Sequence, residues 1–284
     1  MAYLSILRIL ITGGFGYLGG ILAKSLTSKS NEIILASRKN RKTPKWLPSA
    51  KTIKLDFFDE KSLKKSCKDI DCVIHAAGIK AKKCEKDLSG SVNKYGLATK
   101  KLFNQSKKSG VKNFIYLSSI HVYKKHLSGQ INEKTKTINN HPYAKSKLAG
   151  EKAIIDNFKK FKSLRVNILR ISNIVATPMD YKIKCWELVN NDLCRQVIIN
   201  NGIIHIKSSP NILRDYVSEN HFKTLVYHCI KNKNNNIITN VCSGRSISLK
   251  ELSDIIVKRS QITLQKKVHV IYKNNYVENN KKEI

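Results

Sequence analysis

Through the first 171 residues, apolar positions come in short runs separated by longer mixed stretches. Residues 6–11 (broken only by Arg8), 33–36, 52–55, 72–76, 111–118 and 166–171 read as strands. Between them the spacing is helical over roughly 17–28, 60–67, 93–109 (closed by Gly110) and 143–158, soon after Pro142. Runs this apolar, alternating with helices, predict βαβ units: an α/β protein with a Rossmann-type doubly wound parallel sheet. After Ile171 the rhythm changes. Residues 177–209 are irregular and Asn-rich, and helices follow at 220–231 and 248–259. The second of these opens on Ser248-Leu-Lys-Glu251, the spacing of a capping box. This pattern divides the chain into a domain over residues 1–172 and a smaller C-terminal lobe over 173–284. The lobe is expected to face the carboxyl edge of the sheet, where ligands of open α/β sheets bind. No internal repeat is present, and residues 274–284 read as a disordered tail.

The first run leads directly into Thr12-Gly13-Gly14-Phe15-Gly16-Tyr17-Leu18-Gly19. Gly13 can take the backbone conformation of a sharp turn. Gly16 puts no side chain between the backbone and a diphosphate, and Gly19 lets the next helix pack close to the strand. The N–H groups and dipole at that helix start favour an anion. A strand, this turn and a helix together predict a dinucleotide-binding domain.

Composition adds exclusions. The 284 residues are 41% hydrophobic, enough for a sizeable core. No window reaches the length of a membrane-spanning helix. The N-terminus has no basic leader and no small-residue cleavage site, so no secretory signal is expected. The seven cysteines form no C-x-x-C pair and are odd in number, which predicts reduced, packed thiols in a cytoplasmic protein. The histidines show no metal spacing. The net charge of +33 comes mainly from lysines scattered along a chain that is also rich in asparagine. Without an arginine-rich arm or an aromatic-interleaved basic stripe, it favours attraction of phosphate-bearing ligands over nucleic acid.

Two segments carry the pattern Y-x-x-x-K, which sets a phenol and an ammonium on one helix face: Tyr143 with Lys147, and Tyr227 with Lys231. A nearby ammonium favours phenolate and is expected to lower the tyrosine pKa, suiting it to acid/base work on an alcohol or ketone. Only Tyr143 follows a strand ending in Ser118-Ser119, so Tyr143, Lys147 and Ser119 are the candidate catalytic set. Tyr227 reads as a packing residue.

The ordered set resembles the extended short-chain dehydrogenase/reductase family of nucleotide-sugar epimerases, dehydratases and ketoreductases. It comprises the glycine turn, His75-Ala-Ala-Gly78, Asn93, Ser118-Ser119, Tyr143-x-x-x-Lys147, Arg170-Ile-Ser-Asn173, Arg214-Asp-Tyr-Val217 and Asn240-Val-Cys-Ser-Gly244 with Ser248-Leu-Lys-Glu-Leu252. The resemblance implies that Gly13, Gly16 and Gly19 carry a cofactor diphosphate, with Phe15, Tyr17 and Leu18 lining the turn. It places Asp56 and Phe57 at the adenine. Ala76, Ala77 and Gly78 run along the cofactor, Lys80 matches a cofactor-contacting lysine, and Lys147 bonds the nicotinamide ribose. It assigns Asn173 and Arg214, beside Ser119, to a nucleotide-sugar substrate, and it implies a homodimer built on the helices after Asn93 and at Tyr143.

An acidic residue after the second strand binds the ribose 2′-hydroxyl of NAD. This chain has Ser37-Arg38-Lys39-Asn40-Arg41 there and no acid, so NADP is the expected cofactor and NAD the alternative. Family members that eliminate water from a sugar carry Asp-Glu directly after the catalytic residue, and Ile120 stands there instead. A cysteine that serves 3,5-epimerisation in relatives is also replaced by Ile120. Hydride transfer at a sugar carbon, C4, remains, as a 4-epimerase or a ketoreductase. A catalytically silent dinucleotide-binding sensor or scaffold and an RNA-binding relative are the alternative classes. Two departures are visible: His221 stands near a family aspartate position, and the chain stops soon after Tyr276, which is expected of either a trimmed substrate lobe or an incomplete reading frame.

Overall fold

The computed structural model describes residues 6–78, 84, 88–124, 127, 129–158, 164–232 and 237–273. The tail expected to be disordered therefore lies outside the described residues. The chain opens with β1 (Arg8–Thr12), α1 (Tyr17–Thr27), β2 (Glu32–Ser37), β3 (Lys51–Lys54), α2 (Glu60–Cys67) and β4 (Cys72–His75). It continues with α3 (Leu88–Lys108), β5 (Asn113–Ser119), a short 3-10 turn (Ile120–Val122), α4 (Pro142–Phe158), β6 (Arg165–Ile171) and β7 (Asn173–Val175). Then come α5 (Val189–Ile199), β8 (Ile203–Ile206), β9 (Leu213–Ser218), α6 (Glu219–Lys231), β10 (Ile238–Val241), β11 (Ser246–Ser248), α7 (Leu249–Leu264) and β12 (His269–Tyr272).

Seven strands form one sheet in the order β10-β6-β5-β4-β1-β2-β3, with every pair parallel. Successive strands first build outward from β1 through β2 to β3. The chain then crosses back to β4 and builds the other way. The reversal leaves a crevice between the carboxyl ends of β1 and β4, where Thr12 stands opposite His75. All four residues of β4 and all seven of β5 are buried. This is why those segments read as continuous apolar runs rather than as alternation. Leu10, Val73, Phe114 and Ile168 meet Leu63, Leu102, Phe103 and Ile154 from the helices in one core. Phe103 and Phe114 meet edge to face, with ring centroids 5.1 Å apart. Each such side chain contributes about 1.5–3 kcal/mol by leaving water.

The chain divides into two compact units. The first runs to Ile183 and takes in Ser218–Val241. The second comprises Lys184–Val217 and the chain from Cys242 on. A single cut after residue 172 differs from this division because α6 and β10 return to the first unit, where Ile238 pairs with Ile168 of β6. Strand β10 has only four residues, three of them half-buried, too weak a pattern to stand out in the sequence. Helix α3 begins at Leu88, earlier than the expected 93.

The second unit has its own core of Leu193, Val197, Ile204, Ile206, Leu249, Leu252, Ile256 and Val268. Helix α5 and β8 lie in the stretch expected to be irregular. Their apolar stripe was hidden because Asn190, Asn191 and Gln196 are also buried there. The capping box at 248–251 does form: Glu251 N–H donates to Ser248 Oγ (3.0 Å) and Ser248 N–H donates to Glu251 Oε2 (2.7 Å). Among the described residues, no helix is long and apolar enough to cross a membrane.

Candidate functional site

The crevice at the reversal point is a cleft of about 530 Å³ in the first unit. Its floor is the glycine turn. Gly13 has φ +71°, and a Cβ there would lie 2.7 Å from Ala77 N and 2.8 Å from the carbonyl carbon of Ala76. Any other residue would be strained and would push two walls of the cleft apart. The Gly16 N–H is tied to Gly13 O at 2.9 Å, and Gly16 lines the opening. A side chain at Gly19 would run into the Gly13 carbonyl, so its role is close packing of α1 on the turn.

Of the residues expected around the turn, Gly13, Phe15, Gly16, Ser37, Arg38, Asp56, Phe57, Ala76, Ala77 and Gly78 line this one cleft. Tyr17, Leu18 and Gly19 are not among its lining residues. The Tyr17 hydroxyl instead donates to Ala176 O (2.8 Å) and accepts from Ala176 N–H (3.1 Å), anchoring the chain after β7. Lys80 lies outside the described residues. Asp56 is exposed at the end of β3, and its carboxylate accepts the Phe58 N–H at 2.9 Å. Phe57 stands edge-on to His75, with centroids 5.6 Å apart.

Some wall residues carried no signal in the sequence. Arg41 holds its guanidinium 4.9 Å over the Phe15 ring and lines the cleft together with Arg38. Lys94 and Tyr95 supply the α3 wall. Among the described residues, three cations, Arg38, Arg41 and Lys94, thus line the cleft, against the single carboxylate of Asp56.

Ser119, Tyr143 and Lys147 are brought together where β5 ends. Ser119 is buried and extended (φ −148°, ψ 146°), and its oxygen accepts His121 N–H at 3.2 Å. Tyr143 lies in the first turn of α4, its phenol beside Ser119. Burial raises the phenol above its ordinary pKa, and the neighbouring Ser119 hydroxyl only partly opposes this. The fall towards neutrality expected from Lys147 is therefore not produced by this arrangement. The Lys147 ammonium instead donates to Leu117 O at 2.8 Å and stands 5.9 Å from the Tyr143 ring centroid. Burial brings Lys147 itself down to about 8, with the Glu151 carboxylate pulling the other way.

Glu151 had no assigned role. It is one further turn along the same face as Tyr143 and Lys147, and that spacing was the signal available in the sequence. Its carboxylate is buried in an ion pair with Arg170 of β6, at 2.7 Å to Nη2 and 3.1 Å to Nε, and accepts Ser118 Oγ at 2.5 Å. Burial alone would lower the Arg170 pKa, but the bonds and charge of Glu151 raise it. The Arg170 guanidinium also lies 4.8 Å over the Tyr123 ring. Helix α4 is thus bolted to β5 and β6 beside the candidate catalytic set.

Of the substrate-side residues expected with Ser119, Asn173 opens β7 in the first unit and is half-buried. Arg214 lies on β9 in the second unit, and its buried Nε has no hydrogen-bond partner among the described residues. Among the described residues, no group of three His, Cys, Asp or Glu side chains is placed to hold a metal ion.

Comparisons with known proteins converge on one family. The family model described as "NAD dependent epimerase/dehydratase family" matches residues 9–186. A UDP-glucose 4-epimerase of Haemophilus influenzae is 31% identical over 185 residues, covering 60% of this chain and 54% of that protein. A mouse dTDP-D-glucose 4,6-dehydratase is 30% identical over 192 residues, covering 61% and 52%. The chain therefore spans about half the length of these relatives. Among solved structures, a UDP-N-acetylglucosamine 4-epimerase of Methanobrevibacter ruminantium superposes with a TM-score of 0.79 at 21% identity, over 95% of this chain and 86% of that one. MoeE5 in complex with UDP-glucose and NAD gives 0.77 at 20%, over 94% and 85%. At such identities the likeness concerns the fold.

Proposed function

Because the chain belongs to the NAD dependent epimerase/dehydratase family, we propose that it is an enzyme that moves a hydride at C4 of a nucleotide-activated sugar, with Tyr143 as the acid/base. The observation that carries this reading is the convergence of Ser119, Tyr143 and Lys147 at the end of β5. The cleft suits a nicotinamide dinucleotide. Its glycine floor admits no side chain at Gly13, Gly16 is open towards it, and its walls carry an excess of cations. When bound, that group supplies the hydride acceptor and donor.

The chain's own part is proton handling and placement. The Tyr143 phenol, kept protonated by burial, gives its Oη proton to the ketone oxygen as hydride arrives at C4; in the reverse direction its phenolate form takes the hydroxyl proton as the C–H hydrogen leaves as hydride. Ser119 orients the phenol and the sugar hydroxyl. Lys147 holds positive charge beneath the ring. With its pKa near 8, that charge is present at neutral pH and fades above it. Ile120, buried with Val122 and Tyr123 in a small apolar cluster, has no proton to give or take, which favours hydride transfer over loss of water.

For cofactor choice, neighbours such as MoeE5 were solved with NAD. In this chain Arg38 and Arg41 stand where an acid would receive the 2′-hydroxyl, so we propose a preference for NADP and, with it, a ketoreductase as the second reading. The homodimer expected from the resemblance would use the outer faces of α3 and α4, where Leu97 is exposed. Sedimentation velocity measures that directly.

The deciding experiment incubates the purified protein with UDP-glucose and UDP-N-acetylglucosamine, with NAD or NADP, and follows the configuration at C4 by proton NMR. Inversion at C4 supports a 4-epimerase. In a second arm, supplied with a 4-keto nucleotide sugar and NADPH, net reduction supports a ketoreductase. Tight dinucleotide binding with no conversion across a panel of nucleotide sugars would overturn both readings in favour of a silent sensor or scaffold.

A further inference from the structure

His75 ends β4 fully inside the protein, and none of the roles above uses it. Both of its ring nitrogens are engaged: Nδ1 lies 2.6 Å from Thr12 Oγ1 and Nε2 lies 3.1 Å from Thr99 Oγ1. The neighbouring bonds fix which nitrogen carries the proton. Ala77 N–H donates to Thr12 Oγ1 (3.3 Å), and the Thr99 hydroxyl donates to Tyr95 O (2.9 Å). Thr99 has spent its only proton, so its oxygen accepts from His75 Nε2–H. Nδ1 is then bare and accepts the Thr12 O–H. With the other tautomer, the Thr12 proton has no acceptor in this chain of bonds, and Tyr95 O loses the hydroxyl of Thr99 as a donor beside the helix's own N–H.

From this geometry we infer that His75 is a positioning residue, a neutral Nε2-protonated bridge that sets the spacing between the glycine turn, the 76–78 strip and the α3 wall of the cleft. The inference rests on the reading of that cleft as a dinucleotide site. Both ends of the relay reach the lining: Thr12 and Ala77 at one end, Tyr95 at the other. The space between turn and strip is already minimal, with the Cβ position of Gly13 only 2.7 Å from Ala77 N. The relay therefore ties the strip by the same N–H that lies against the turn. Burial, with the Lys147 charge adding to it, holds the imidazole pKa down to about 3, so the bridge stays neutral. A bare Nδ1 is also the only form that can accept the Thr12 proton.

Two measurements test this on the full chain. Nitrogen-15 NMR of the histidine ring reads the tautomer whether or not any dinucleotide binds. The expected result is a single Nε2–H form that does not titrate between about pH 5 and 9. An Nδ1–H form, or titration inside that range, would overturn the inference. Calorimetric titration with NAD and NADP then compares H75L, H75N and T99V with the unaltered chain. H75N keeps an acceptor for Thr12 and H75L does not. The expected loss of affinity is about tenfold for H75L, with substantial recovery in H75N. If H75L and T99V lower thermal stability alike but leave dinucleotide affinity unchanged, the residue is merely structural and the inference fails. If the unaltered chain binds neither dinucleotide, the functional reading of the cleft fails instead, and the tautomer still decides the relay.

Discussion

Helices α4 and α6 carry the same four-residue signature in different surroundings. On α4, Lys147 is 8% exposed, bonded to a strand carbonyl at 2.8 Å, and followed one turn later by a carboxylate buried against Arg170. On α6, Tyr227 has two ammonium groups over its ring, Lys29 at 5.5 Å and Lys231 at 5.8 Å, and Lys231 is exposed. The nearby acid of α6, Glu219, pairs with Lys223 in a half-buried bridge four residues apart. Spacing puts a phenol and an ammonium on one face in both helices. Whether the ammonium is desolvated and held depends on what the helix packs against.

The two helices should differ most at their tyrosines. Tyr143→Phe is expected to cut turnover on a nucleotide sugar by on the order of 10²–10⁴ while leaving dinucleotide affinity intact. Tyr227→Phe should stay within about twofold of the unaltered enzyme in the same assay. Equal losses would remove the distinction between the two segments, and a larger loss at Tyr227 would reverse it.

The acids come next. Glu151→Leu strands the buried Arg170 and should cost about 3–5 kcal/mol in urea unfolding. Glu219→Leu breaks a bridge worth only about 0.3–0.5 kcal/mol, so its transition midpoint should barely move. A small effect at Glu151 would show that water reaches the pair.

The lysines give a pH signature of intermediate size. The folded pKa of Lys147 lies near 8, below its ordinary value of 10.5. Between those values the unfolded chain binds more protons, so this group makes stability rise with pH across that window and withdraws the gain as pH falls through 8. The pH-dependent difference between the unaltered protein and Lys147→Met should amount to at most about 3 kcal/mol. If the Lys147→Met curve parallels the unaltered one, Lys147 is better solvated than its burial indicates.

The faintest contrast is the most local. Lys29→Met removes one cation from over the Tyr227 ring and should shift stability by no more than about 0.5–1 kcal/mol.

What the sequence made legible follows the same division between spacing and surroundings. The strand–glycine turn–helix unit was readable because Gly13 and Gly19 answer to backbone geometry within a few residues of one another. The parallel sheet was readable because β4 and β5 are buried on both faces and so are apolar throughout. Arg41 over Phe15, Glu151 against Arg170 and His75 between two threonines depend on contacts between segments far apart in the chain, which no local pattern encodes. The opposite directions of the Tyr143 and Lys147 shifts were hidden for the same reason: helix spacing gives their separation and says nothing of the burial that dominates both. In the second unit, buried asparagines broke up the apolar stripe of α5 and concealed a regular helix.

Strand β10 has a consequence for the newborn chain. Ile238–Val241 is the outermost partner of β6, yet it is synthesised after the whole of Lys184–Val217. Until the ribosome delivers it, the edge of β6 offers unpaired N–H and C=O groups along a strand that is buried in the finished fold, a template for pairing with a neighbouring chain. At about 5–20 residues per second, that interval lasts seconds. Truncations that stop before Ile238 would make it permanent, and they are expected to aggregate even with every residue of the candidate cleft present.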